Sequence, residues 1–207
     1  TIAKALAKYA GYMYVDTGAM YRATALYMLQ HHADEPVQII ALLPKVSIRF
    51  ALQADGTQHT ILNGQDVESQ IRTLEVGNRA SQVSQIREVR QFLVVQQQAM
   101  GKEKGIVMDG RDIGTVVFPD AELKIFVTAS AEVRARRRYD ELKGKGMEAD
   151  YADILRNVEE RDYIDSHREV SPLRQASDAI LLDNSQMTIA EQKEWLMNQF
   201  RQALAKA

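Results

Sequence analysis

Four short apolar runs constrain the fold most. They are Tyr12-Met13-Tyr14-Val15, Gly105-Ile106-Val107-Met108-Asp109, Leu123-Lys124-Ile125-Phe126-Val127 and Ala179-Ile180-Leu181-Leu182-Asp183. Runs of this length, apolar on successive positions, read as strands buried on both faces. Helical stretches separate them, so the pattern predicts a parallel α/β sheet with both faces covered. Between the first two runs lies Val46 to Leu52, an Asp55-Gly56 turn, then Thr60-Ile61-Leu62 before Asn63-Gly64. Alternation around two Gly turns predicts a small antiparallel meander inserted into that sheet. Helices are expected from Thr1 to Gly11, from Ala19 to about Gln30, from about Val67 to Ser84 and from Arg87 to Met100. A last helix opens at the capping box Thr188-Ile189-Ala190-Glu191.

Composition narrows the chemistry. The 207 residues carry no cysteine, which excludes disulfides, thiol catalysis and Cys-ligated zinc. His31, His32, His59 and His167 show no metal-ligand spacing, so no protein-held metal is expected. A net charge of -2 argues against a bulk nucleic-acid binder. No apolar run approaches the roughly 20 residues of a membrane helix. With no secretory signal pattern, the expected compartment is the cytosol.

In open parallel sheets, ligands bind beyond the carboxyl ends of the strands. Two predicted strand ends carry polar clusters. Asp16-Thr17-Gly18-Ala19-Met20-Tyr21-Arg22 sets Thr17 at a helix start and Arg22 one turn in, where backbone N–H groups and a guanidinium could hold a phosphate. Taken alone, the same residues read first as a helix cap with a surface arginine. Asp109-Gly110-Arg111-Asp112 offers a phosphate clamp beside a carboxylate, or a tight turn with solvated charges. Arg134, Arg137 and Arg138 share one helical face, and like charges so close repel unless an anion lies among them. They read as a mobile cover over phosphates, with Lys143-Gly144-Lys145-Gly146 as its tip, as a solvated face, or as a nucleic-acid stripe. Arg161, Asp165 and Arg168 fall at i, i+4 and i+7, so one helical face would carry two guanidiniums around a carboxylate. That face could grip a phosphate and a sugar hydroxyl together, or be an ion-paired surface.

The combination is more specific than its parts. Asp16 to Arg22, Asn63-Gly64-Gln65-Asp66-Val67 with Ile71-Arg72, Asn78 to Val83, Asp109 to Pro119, and Glu160-Arg161-Asp162 with Asp165, Arg168 and Ser171-Pro172-Leu173 occur in this order. Together they resemble bacterial cytidylate kinases over nearly the whole chain. The resemblance implies an adenylate-kinase-like parallel sheet with helices on both faces. It also implies a monophosphate-binding insert at about 44–68 and a lid at about 138–152. The implied reaction moves a phosphoryl group from ATP to CMP or dCMP, with Mg²⁺ carried by the ATP phosphates and the enzyme monomeric.

By resemblance, Arg22, Arg111, Arg161 and Arg168 hold the CMP phosphate, and Asp16, Thr17, Gly18 and Tyr21 line its site. Ser81, Arg90 and Asp112 read the base, and Asp165 accepts from the sugar. Arg137 and Arg138, with Arg134, reach ATP from the lid. The family's G-x-x-x-x-G-K-[ST] loop does not occur between Thr1 and Ala207, and it is expected upstream of Thr1 together with the strand that feeds it. The rival readings are a kinase for UMP or AMP, a fragment without catalytic activity, or a basic-helix module that binds RNA.

Overall fold

The structure, a computed structural model, describes residues 1–207. The chain begins with α1 (Ile2–Ala10) and divides into two compact units. One comprises Ala10–Gly110; the other comprises Thr1–Tyr9 with Arg111–Ala207.

The unit from Ala10 to Gly110 is built around β1 (Met13–Asp16) and α2 (Thr17–Gln30). Ten of the fourteen α2 residues are buried, including Met20, Ala23, Thr24 and Met28, so this helix is core on nearly every side. It starts two residues before the expected Ala19, because the Asp16 side chain accepts from the Ala19 N–H at 3.0 Å and caps it. A helix with no sequence expectation, α3 (Pro36–Leu42), follows. Its signals are local: Pro36 stands at the first helical position, and Glu35 and Gln38 form a capping box.

The meander forms as β2 (Ile48–Leu52), β3 (Gln58–Leu62) and the two-residue β4 (Gln65–Asp66), antiparallel in that order. Asn63 and Gly64, at φ 49° and 81°, make the left-handed turn that returns the chain. The single helix expected over 67–84 is corrected here. Val67 instead continues the sheet by donating to the Thr60 carbonyl at 3.0 Å. A 3₁₀ turn spans Gln70–Arg72, and α4 (Leu74–Val83) starts afresh at Thr73, whose side chain accepts from Val76. Val67 and Ile71 are buried four residues apart, which gave the helical periodicity without the helix. Beyond α5 (Arg87–Met100), β5 (Ile106–Asp109) pairs in parallel with β1, Met13 opposite Ile106 and Asp16 opposite Asp109. Both strand ends with polar clusters thus lie side by side.

In the other unit, β6 (Ile125–Thr128) pairs in parallel with β7 (Ile180–Asp183). Two long helices, α6 (Ala131–Gly144) and α7 (Tyr151–His167), pack on each other, and α8 (Ile189–Ala205) closes the chain. The Thr188–Glu191 capping box of α8 is formed as expected. Tyr9 of α1 meets Phe200 edge-on at 6.3 Å and accepts from Arg201. Directly after Asp112, residues Ile113–Val117 form a single π-helical turn, which periodicity does not signal. The fold is α/β with parallel strand pairs and a small antiparallel sheet.

In the meander, His59 Nδ1 lies 2.5 Å from Asp66 Oδ2. The hydrogen bond to Asp66, with Glu68 and Asp55 nearby, raises the His59 pKa above its ordinary 6.5. The stabilising contribution is therefore complete below pH 6.5 and is lost as pH rises through the raised value. NMR titration of the His59 ring is expected to give a midpoint above 6.5, falling back in Asp66→Asn. A wild-type midpoint at or below 6.5 contradicts the contact.

Candidate functional site

The end of β1 and the start of α2 form one candidate cluster. Thr17 Oγ1 donates to the Asp109 carbonyl at 2.7 Å, tying the helix start to the end of β5. Tyr14 fixes the neighbouring carboxylate, donating from its hydroxyl to Asp109 Oδ2 at 2.8 Å. A side chain on Gly18 would place Cβ 3.2 Å from Asp16 Oδ1, so glycine leaves Asp16 room to lean over the helix terminus.

Arg22 projects from the next turn and donates to the Ile71 carbonyl at 2.9 Å. Its guanidinium lies over Gly77 of α4, where a Cβ would sit 3.2 Å from one terminal nitrogen and 3.3 Å from the other. Tyr21, Ser81 and Arg90 are linked to one another. The buried Arg90 guanidinium stands over the Tyr21 ring, 4.9 Å from its centre, and donates to the Ser84 carbonyl at 3.1 Å. Ser84 in turn donates to the Ser81 carbonyl at 2.8 Å.

Two residues of this cluster carried no role in the sequence reading. Arg72 donates to Asp16 Oδ2 at 3.3 Å and to Glu68 Oε1 at 2.7 Å. Glu68 Oε2 accepts both the N–H and the hydroxyl of Thr60 at 2.9 Å. Burial alone would raise the Glu68 pKa, but the bonds from Arg72 and Thr60 outweigh it and hold the carboxyl below its ordinary value. The chain Thr60–Glu68–Arg72–Asp16 therefore ties the meander to the start of α2. Its one sequence signal was Ile71-Arg72 within the resemblance.

The second cluster belongs to the unit from Arg111 onward. Asp165 accepts from Arg111 Nε at 3.0 Å on one oxygen and from an Arg168 terminal nitrogen at 3.2 Å on the other. The Arg168 side chain is 1% exposed and that of Arg111 is 56% exposed, so one guanidinium is buried and the other faces solvent. Arg168 is steadied further by the Ser171 carbonyl, which accepts from its Nε at 2.9 Å. Ser171 adopts φ 50° to place that carbonyl. One helical turn before Asp165, Arg161 joins the same face, as its spacing predicted. Burial and the nearby Arg111 charge push the Arg161 pKa down despite Asp165 and Asp162. Asp112 is buried, and its carbonyl accepts from Val116 and Val117 to open the π-turn.

The arginines of α6 go to different partners. Arg134 clasps both oxygens of Asp162 on α7, at 2.9 and 2.5 Å. Arg137 donates to the Asn184 side chain and carbonyl at 2.9 and 2.7 Å, and Arg138 to Glu141 at 2.9 Å. The repulsion expected among them is thus relieved by protein acceptors. Lys143 and Gly144, read as a flexible tip, are the last turn of α6. No group of three His, Asp or Glu side chains stands at metal-binding geometry.

Comparison with known proteins decides the family. The sequence profile of cytidylate kinases matches residues 1–202. The chain belongs to the cytidylate kinase family. Among curated cytidylate kinases, that of Bacteroides fragilis is 56% identical over 99% of this chain and 92% of its own length. Those of Parabacteroides distasonis and Phocaeicola vulgatus are 58% and 59% identical, with the same coverage. The family resemblance drawn from the motifs therefore holds.

The close approach at Gly77 yields a test. Alanine is the better helix former by about 1 kcal/mol. The Arg22–Ile71 hydrogen bond it would disturb contributes a similar amount. Gly77→Ala is therefore expected to leave the melting temperature nearly unchanged while speeding solvent exchange of the Arg22 side-chain N–H groups, measured by NMR. Unchanged exchange would show that Gly77 does not hold Arg22.

Proposed function

We propose that the enzyme transfers the γ-phosphoryl group of ATP to CMP or dCMP, giving ADP and CDP or dCDP. A CMP phosphate oxygen attacks the γ-phosphorus, and the bond to the β,γ-bridging oxygen breaks, leaving that oxygen on ADP. The attacking oxygen is already anionic, so no general base is needed. The chemistry requires cations that hold anionic phosphates in place and stabilise the charge spread over the transferring group.

The residues present supply such cations. Arg22 in one unit, and Arg111, Arg161 and Arg168 in the other, are the proposed phosphate ligands. Asp16, Thr17, Gly18 and Tyr21 form the proposed lining beside Arg22. Asp165 is proposed to accept from the sugar hydroxyls while its oxygens hold Arg111 and Arg168. Arg137 and Arg138, with Arg134, are proposed for the ATP side, with residues near 138–152 as a lid and 44–68 as the monophosphate insert. Mg²⁺, which screens phosphate charge, fits a chain with no acidic cage of its own: it arrives on the ATP phosphates.

Cytosine presents an N4 amino donor with O2 and N3 acceptors. The Asp112 carboxylate suits the donor, and Arg90 with Ser81 suits the acceptors. The observation that carries this reading is family membership across residues 1–202, joined to the Arg111–Asp165–Arg168 bridge. The same reading places the enzyme in cytosolic pyrimidine nucleotide metabolism, as a monomer acting on ATP and CMP or dCMP. An RNA-binding stripe is disfavoured by the net charge of -2.

Uracil would turn an acceptor, O4, toward the Asp112 carboxylate. Asp112→Ala is therefore expected to cut the preference for CMP over UMP by about tenfold or more, measured as the ratio of kcat/KM values. A folded variant as selective as the wild type would sink the assignment of Asp112 to the base.

A further inference from the structure

A buried lysine that no part of the proposed reaction uses sits under the loop carrying Arg111 and Asp112. The Lys124 side chain is only 7% exposed. A buried ammonium is costly unless it is paired and hydrogen-bonded. Its Nζ donates to the Pro119 carbonyl and, at 2.8 Å, to Asp178 Oδ1. Pro119 ends the loop that follows Asp112, and Asp178 stands two residues before β7, so one cation fastens both to the start of β6.

The stem of Lys124 reaches this position by passing against Gly114. A Cβ on Gly114 would lie 3.2 Å from Lys124 Cδ, 3.5 Å from its Cγ and 3.8 Å from the Ala176 Cβ. Gly114 lies inside the π-turn. That turn is hung from Asp112, whose carbonyl accepts from Val116 at 2.9 Å and Val117 at 3.2 Å, and is closed by Phe118 N–H donating to Ile113 at 2.7 Å. The turn is therefore fixed at one end by Asp112 itself and at the other by Lys124, with Gly114 bearing on the lysine stem between them. Single π-turns persist where the surroundings hold them, and they concentrate at functional sites.

We infer that Lys124 and Gly114 are positioning residues for nucleotide recognition: together they set the π-turn that aims Asp112 at the base. This rests on the reading of Asp112 given above. A lysine kept only for stability would act on melting temperature and would not touch the choice of base.

The test compares Lys124→Met and Gly114→Ala with Asp112→Ala in the enzyme, measuring KM for CMP and for ATP, the CMP-to-UMP ratio of kcat/KM, and the melting temperature. Lys124→Met keeps the stem and removes the two hydrogen bonds. It is expected to raise KM for CMP about tenfold and to lower the CMP-to-UMP ratio, with KM for ATP within about twofold, because small misplacements of a recognition group are expensive. Gly114→Ala is expected to act in the same direction by about threefold. It adds one methyl group and removes no charge, so it decides the matter if Lys124→Met does not fold. Wild-type KM for CMP and wild-type selectivity in the folded variants, alongside lost selectivity in Asp112→Ala, overturn the positioning role alone. Unchanged selectivity in Asp112→Ala overturns the base-reading role of Asp112, and this inference with it.

Discussion

One carboxylate organises the second cluster. Asp165 uses one oxygen for Arg111 and the other for Arg168. Without it the Arg168 guanidinium, whose side chain is almost wholly buried, would be a stranded charge. With it, two guanidinium planes are fixed through opposite oxygens of one group, and a third, Arg161, stands one turn away. Burial, together with the nearby Arg111 charge, pushes the Arg161 pKa down. Charge arranged before the ligand arrives costs no reorganisation when it is used, which is the physical basis of electrostatic preorganisation.

The cluster at the end of β1 is assembled differently. Its carboxylates are occupied within the fold: Asp16 caps α2 and meets Arg72, and Glu68 is filled by Arg72 and Thr60. Arg72 thereby joins a strand end, a helix start and the meander through one guanidinium. Arg22 is oriented by a backbone carbonyl, that of Ile71, the residue just before Arg72. The short 3₁₀ turn over Gln70–Arg72 therefore places two arginines at once: its Ile71 carbonyl holds Arg22, and its own Arg72 reaches Asp16 and Glu68. A continuous helix through 67–84 would have used the Ile71 carbonyl for its own ladder. The break that defeated the helical reading is thus what makes this carbonyl available to Arg22.

Local signals were legible in the sequence. The four apolar runs all form parallel strands, the Asn63-Gly64 turn forms, and the Thr188 capping box caps α8. The spacing of Arg161 and Asp165 gave a shared face because helical geometry fixes it, and Arg168, just past the end of α7, reaches Asp165 from the C-cap. What stayed hidden depends on partners far along the chain. Arg72 and Glu68 matter because Asp16 and Thr60 come to them. Val67 and Ile71 mimic a helical period while belonging to a sheet extension and a 3₁₀ turn. The π-turn after Asp112 has no periodic signature, since a single wide turn leaves no repeat to detect.

Gly77 and Gly114 show how far such hidden constraints reach. Both lie inside helical segments, where glycine costs about 1 kcal/mol relative to alanine. Neither has the left-handed backbone that favours glycine, so conformational freedom does not explain them. In each case the missing side chain is replaced by part of a long cationic one: the Arg22 guanidinium at 3.2 Å, the Lys124 stem at 3.2 Å. Each of those cations then donates to a backbone carbonyl, Ile71 in one case and Pro119 in the other. The same device thus recurs in both units. A helix forgoes a methyl group so that a cation can lie against it and fasten a loop that borders a candidate ligand. Alanine there would gain helix propensity but crowd the cation lying against the backbone, so the two glycines are explained by placement of the cations.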